Sequence, residues 1–327
     1  TKLAIEDAIE LTRQFQRLGD GPEHIEQVLA DYQAIRSVEA LRLQNAAWNA
    51  MEWFEVCGAR YCDQLDPPQF MYSMLTRSQR ISHENLRLRD RAWLEGYERW
   101  LAEHDGVRVP DAQTPPPPMF TPYTVRGLTL KNRVVVSPMA QYSCVDGVAG
   151  DYHLVHLGAR AMGGAGMVVA EMTCVSPEGR ITPGCPGLCN AEQKAAWARI
   201  ADWIHANTDA KFGLQLGHAG AKASTRLAWD GIDLPLESGN WPIVGASAQQ
   251  YLPGISQVAK ALTPAEMDTI KLQFVQATRD CIDIGVDWIE LHCAHGYLLS
   301  EFISPLTNHR ADEYGGTLEN RWRFLLE

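Results

Sequence analysis

Three residues able to handle protons close one apolar run of this chain, Trp288-Ile-Glu-Leu-His292-Cys-Ala-His295-Gly-Tyr297. Two imidazoles three residues apart can both point at one oxygen atom, or together hold a metal. The phenol of Tyr297 can deliver or relay a proton. An apolar strand that runs into convergent ionisable groups is where an α/β barrel places its chemistry. Taken alone, the pair suits either a metal or a carbonyl or phenolate oxygen. A His-x-x-His zinc site has no evident third ligand here, so no metal is expected.

Three more short apolar runs have unusual ends. Val134 to Pro138 leads into Ser137-Pro138-Met139-Ala140-Gln141-Tyr142, and Gly166 to Glu171 leads into Met172-Thr173. Lys211 to Leu216 carries Gln215 and is followed by His218-Ala-Gly-Ala-Lys222. Helical patterns over 152–162, 191–206 and 264–284 separate the runs, and Thr263 with Glu266 makes a capping box ahead of the last. Residues 123–129, with Arg126-Gly127 at their centre, read as a small hairpin. Repeated β/α units imply parallel strands with right-handed crossovers, so all four ends open at one mouth. The expected fold class is α/β, with 119–327 forming the first four β/α units of a TIM (β/α)8 barrel. A closed barrel takes eight strands, so the chain is expected to be a segment of a longer polypeptide.

Residues 1–103 differ in kind. Gly and Pro are rare apart from Gly19-Asp20-Gly21-Pro22 and Pro67-Pro68, and apolar residues recur at helical spacing, as in Ala34, Val38, Leu41, Ala46 and Trp48. Trp48, Trp53 and Phe54 are expected in a helical core. Residues 104–118 end in four prolines, Pro115 to Pro118, which favour an extended spacer without a core of its own. The domain boundary belongs there.

Composition narrows the function. The net charge of -11 argues against a nucleic-acid partner. No run of about 18 apolar residues suggests a membrane span, and no apolar N-terminal region suggests a signal peptide. The eight cysteines are scattered. Free thiols in a reducing cytoplasm are the simplest reading, and Cys185-x3-Cys189 has no second half for a metal site.

The motifs Lys131-Asn-Arg-Val-Val-Val-Ser-Pro-Met139, Gln215-Leu-Gly-His-Ala-Gly220, His292-Cys-Ala-His-Gly-Tyr-Leu298 and Ser304-Pro-Leu-Thr-Asn-His-Arg-Ala-Asp-Glu-Tyr-Gly-Gly316 resemble the Old Yellow Enzyme family, in order. The likeness is to its YqjM-type class of FMN-dependent ene-reductases. The resemblance implies that Ser137, Pro138, Met139, Ala140 and Met172 border FMN and that the Gln215 amide meets its pyrimidine edge. It implies that His292 and His295 donate to the substrate's carbonyl oxygen while hydride reaches the β-carbon, with Tyr297 as proton source and Tyr142 lining the substrate side. NAD(P)H would supply the electrons, in a homo-oligomer. One departure stands out: the class usually has Cys where this chain has Ala140, and Cys144 is not expected to substitute. Asn308-His309-Arg310 is expected in a structural loop, with Tyr314-Gly315-Gly316 making a turn before a helix.

The helical half adds a second resemblance. Thr1-Lys-Leu-Ala-Ile-Glu-Asp-Ala8 and Asn45-Ala-Ala-Trp-Asn-Ala-Met-Glu-Trp-Phe54 resemble the C-terminal part of FAD-dependent aromatic hydroxylases. Hydroxylase end, proline linker and barrel in that order resemble bifunctional aryl-CoA monooxygenase/reductases of the 2-aminobenzoyl-CoA or salicylyl-CoA type. That resemblance implies hydroxylation of an aryl-CoA thioester at FAD, then reduction of the oxygenated ring at FMN. Two alternatives stay open: a general ene-reductase with a helical dimerisation or docking module, and a flavin-free scaffold.

Overall fold

A computed structural model describes residues 2–327. The chain parts between Pro118 and Met119 into two compact units. The first is helical: α1 (Lys2–Leu18), α2 (Ile25–Glu52), a π-helical turn at Trp53–Gly58, α3 (Ala59–Tyr61), α4 (Pro67–Thr76), α5 (His83–Arg89) and α6 (Arg91–His104). Gly19 takes a left-handed φ of 99° after α1, and Pro22 opens the turn into α2. Arg36 on α2 is buried against α1, donating Nε to Asp7 at 2.7 Å. Ser82 and Asp90 cap α5 and α6, whose Leu86, Leu94 and Tyr97 form a small core.

Two expectations for this half need correction. Trp53 is buried and donates Nε1 to Ser73, but Trp48 and Phe54 are more than half exposed, and Val38 and Leu41 are exposed too. Helical spacing says which residues share a face; whether a neighbour covers that face is a separate matter. Nor is the stretch after α6 a free spacer throughout. Arg99 donates to the carbonyls of Val109 at 2.9 Å and Gln113 at 2.8 Å, folding that part back, and Val109 is buried.

The second unit opens with a hairpin of β1 (Tyr123–Val125) and β2 (Leu128–Leu130). Arg126 and Gly127 both have positive φ, as a two-residue hairpin turn requires. Then come β3 (Val135–Val136), α7 (Asp151–Met162), β4 (Met167–Cys174), α8 (Ala191–Asn207) and β5 (Lys211–Gly217). A long connection carries a short parallel pair, β6 (Val244–Gly245) with β7 (Lys260–Ala261), absent from the sequence-based expectation. It leads to α9 (Pro264–Asp283), β8 (Trp288–Leu291), α10 (Leu298–Ile303) and α11 (Leu318–Leu326). Thr263 and Glu266 form the capping box at α9, with Pro264 at the first helical position.

Strands β3, β4, β5 and β8 make one parallel sheet in chain order, as the alternation of patterns requires. One face of β4 and β5, including Val168, Ala170, Phe212 and Leu214, packs on Trp197, Ile200 and Ile204 of α8 and Ala277 of α9. On the other face Met167 and Val169 meet Leu130 of the hairpin and Trp288. Asn308, buried, donates to the carbonyls of Phe302 and Tyr314, and Arg310 to those of Ala246 and Leu262, so that segment is structural. Among the described residues, no helix is long and apolar enough to cross a membrane.

Candidate active site

A break in register arranges the strand ends. Val169 pairs with Gly213 and Ala170 with Leu214, but Met172 pairs with Gln215, so Glu171 is an extra residue. Alternation along a strand has period two, so one inserted residue turns Met172 to the same face as Gln215. Glu290 on β8 pairs with Gln215 and shares that face; the Gln215 amide donates to its carboxylate at 2.6 Å. His292 continues β8, its N–H bonded to the carbonyl of Leu216. Met172, Gln215 and His292 therefore lie close to the C-terminal ends of three adjacent strands, and β3 runs straight into Ser137 and Pro138.

Glu171 itself is buried and turns towards α7. One oxygen lies 3.1 Å from Nε2 of buried His153; the other accepts the N–H of Gln141 at 2.8 Å. Gln141 also donates to the carbonyl of Met139 and accepts from the Tyr152 hydroxyl, both at 2.8 Å. Three bonds on one residue thus fix the loop of Met139, Ala140 and Tyr142. Met139 and Ala140 are exposed, while Cys144 is buried behind the loop, its Sγ 3.5 Å from His153, with its thiol pushed upward by burial. It does not occupy the place that Ala140 leaves without a thiol. Tyr142 holds a left-handed φ of 49°, and burial pushes its phenol up to about 12.

The histidines and Tyr297 form one cluster. His292 is buried and His295 is exposed, with Nδ1 of His295 at 3.2 Å from Nε2 of His292. Nδ1 of His292 accepts the N–H of Ala294 at 3.3 Å. A neutral His292 therefore carries its proton on Nε2, the nitrogen that faces Nδ1 of His295. Burial, then the neighbouring His295, then Lys222, push His292 down to about 4. It is neutral at physiological pH and a donor through Nε2. The Tyr297 ring stands edge-on at 4.7 Å from the His292 ring, and burial pushes its phenol upward, so the phenol keeps its proton. Among the described residues, no group of three or more His, Cys, Asp or Glu side chains could hold a metal ion.

These surroundings fit a flat heterocycle with a polar edge, as FMN would present. Gly213 and Gly217 flank Gln215 on β5, so the neighbouring β5 positions put no side chain on that face beside the amide. A Cβ on Gly217 would lie 2.7 Å from Cγ of Met172 and 3.2 Å from Cβ of His292. Gln215 offers both donor and acceptor, and Pro138 and Met172 offer apolar surface.

Other groups escaped the sequence reading. Trp229 reaches Tyr142 at 6.3 Å between ring centroids, and Tyr251 and Tyr297 flank the ammonium of Lys222. Trp229 and Tyr251 lie in the long connection after β5, where no periodic pattern ties them to the strand ends. Tyr142 also lines a cavity of about 770 Å³, walled by Arg180, Arg226 and Asp230. Ser137 and Pro138 reach a smaller one of 420 Å³ on the inward sheet face.

Residues 118–327 match the NADH:flavin oxidoreductase / NADH oxidase family. The chain is 44% identical over 213 residues to an NADH:flavin oxidoreductase of Gibberella zeae, a match covering 64% of this chain and 51% of that protein. It superposes on morphinone reductase in complex with tetrahydroNAD with a TM-score of 0.57 at 30% identity, covering 64% of this chain and 59% of the other. A complex of 2-naphthoyl-CoA reductase with 2-naphthoyl-CoA gives 0.57 at 27% identity, covering 64% and 32%. The chain thus spans about half the length of the curated relative it matches. Strand-end chemistry, parallel sheet and family match agree: the chain belongs to the NADH:flavin oxidoreductase / NADH oxidase family, of the Old Yellow Enzyme type.

Proposed function

We propose that this chain carries part of the active site of an ene-reductase, which uses NAD(P)H to reduce a C=C bond conjugated to a carbonyl. The observation that carries this reading is the cluster of two imidazoles and a phenol at the end of β8, beside Gln215. When bound, FMN supplies hydride to the substrate's β-carbon. Ser137, Pro138, Met139, Ala140, Met172 and Gln215 would hold it. His292 and His295 would donate ring N–H groups to the carbonyl oxygen, the Nε2 proton of His292 turning from Nδ1 of His295 to the substrate, and stabilise the negative charge that gathers there. Tyr297 gives its proton to the α-carbon. Tyr142 closes the substrate side. The test is anaerobic NADH or NADPH oxidation by the purified full-length protein with 2-cyclohexenone. Saturable turnover to cyclohexanone is expected, and none with either nucleotide would defeat the reading.

A second reading keeps the aryl-CoA route, with FAD hydroxylation ahead of ring reduction in a homo-oligomer. Its support is the helical unit outside the family match and the aryl-CoA in the 2-naphthoyl-CoA reductase complex. The family match supports FMN and gives no support to FAD, so the ene-reductase reading is preferred. Transfer of an oxygen atom from O2 into an aryl-CoA thioester separates the two: none is expected from the ene-reductase alone.

A further inference from the structure

Lys222 ends the short turn Gly220–Lys222 after β5, and its side chain is only 12% exposed. A nearly buried ammonium needs partners, and its partners are unusual. Nζ donates to the backbone carbonyl of His295 at 3.3 Å and lies 4.3 Å from the ring centroid of Tyr251 and 5.4 Å from that of Tyr297. The nearest carboxylate, Asp233, is 3.8 Å away and accepts the Tyr251 hydroxyl at 3.2 Å. His295 has a left-handed φ of 57°, a conformation uncommon for a residue with a side chain. The bond from Lys222 holds that peptide from outside.

The turn is itself anchored. Buried Glu301 on α10 accepts the N–H of Ala221 at 2.7 Å and that of Ala246 at 3.0 Å. The N–H of Glu301 in turn bonds the carbonyl of Tyr297 at 2.8 Å. The path from Tyr297 through Glu301, Ala221 and Lys222 back to His295 is closed, so the ammonium has little freedom to leave.

We propose that Lys222 is a positioning residue for the His292–His295 pair: its ammonium clamps the His295 carbonyl and sets a fixed positive charge behind the two imidazoles. The charge acts in two ways. It opposes a second positive charge on the nearby His292, adding to the effects of burial and of His295, and it adds to the pull on an oxygen becoming negative. The inference rests on the ene-reductase reading for its kinetic part only.

The test compares Lys222→Met, similar in length but uncharged, with Lys222→Arg. The first readout is the NMR titration of ¹³C-labelled histidines in the flavin-free protein, with His292→Ala identifying the signal. In Lys222→Met the His292 titration should move to higher pH, and Lys222→Arg should restore it. The second readout is enone reduction, which should fall roughly tenfold in kcat for Lys222→Met, less than the roughly 10²–10³ lost with a direct oxyanion donor. FMN affinity should hold, and Lys222→Arg should recover most of the rate. An unmoved His292 titration in a folded Lys222→Met protein overturns the proposal, whatever its activity. A moved titration in a protein that reduces no enone defeats the ene-reductase reading and leaves the clamp standing.

Discussion

The chemistry is carried by protonation states that burial sets. His292 is pushed down to about 4 and Tyr297 is pushed up, so one stays neutral and the other stays protonated across the ordinary range. His292→Ala and His295→Ala should each remove an oxyanion donor and cost roughly 10²–10³ in enone reduction, while FMN, measured by fluorescence on release, stays bound. Stability has a pH signature too. Fully buried His218 is likewise pushed down to about 4 by burial. An unfolded histidine binds its proton near pH 6.5, so between about 6.5 and 4 the unfolded chain holds more protons than the native one. The contribution of both residues is present above about pH 6.5 and lost as pH falls towards 4. Urea midpoints for His218→Gln against the parent at pH 7 and pH 5 check this, and the variant should show the shallower fall.

At the scale of elements, backbone placement decides which side chains meet. The extra residue Glu171 turns Met172 towards Gln215 and sends its own carboxylate to His153 and Gln141. Glu301 does comparable work beneath the loop that carries His295 and Tyr297, and it needs glycines beside it. A Cβ on Gly220, already at a φ of 62°, would sit 2.2 Å from a Glu301 oxygen, and one on Gly245 2.6 Å from the other. Burial pushes Glu301 up to about 7. At pH 8 it is ionised and accepts both N–H groups, whereas a glutamine accepts one and turns an NH₂ towards the other. Glu301→Gln should therefore lower stability by about 1–3 kcal/mol at pH 8, read from the urea midpoint. Gly220→Ala should cost more, because it adds backbone strain to the collision.

At the scale of the whole molecule, the two units carry different weight. Residues 118–327 carry the family match and every candidate site residue, while the helical unit has its own core around Leu86, Leu94 and Tyr97. Acid release of flavin from the purified full-length protein should give FMN, identified by chromatography. FAD in equal amount would revive the hydroxylase reading, and no flavin at all would favour the scaffold reading.

Periodicity and capping made the element order legible in the sequence: the apolar runs that begin at Lys211 and Trp288 became strands, and Thr263 with Glu266 started α9. Local residue chemistry also named the strand-end groups, since His292, His295, Tyr297 and Gln215 stand in short motifs. Tertiary structure alone decided the rest. The capture of Gln141 by Glu171, the exposure of Trp48 and Phe54, and the clamp from Lys222 to His295 all depend on contacts between segments far apart in the chain or on the absence of a covering neighbour. Spacing within a segment records which side chains share a face. It carries no record of what the rest of the chain brings to that face.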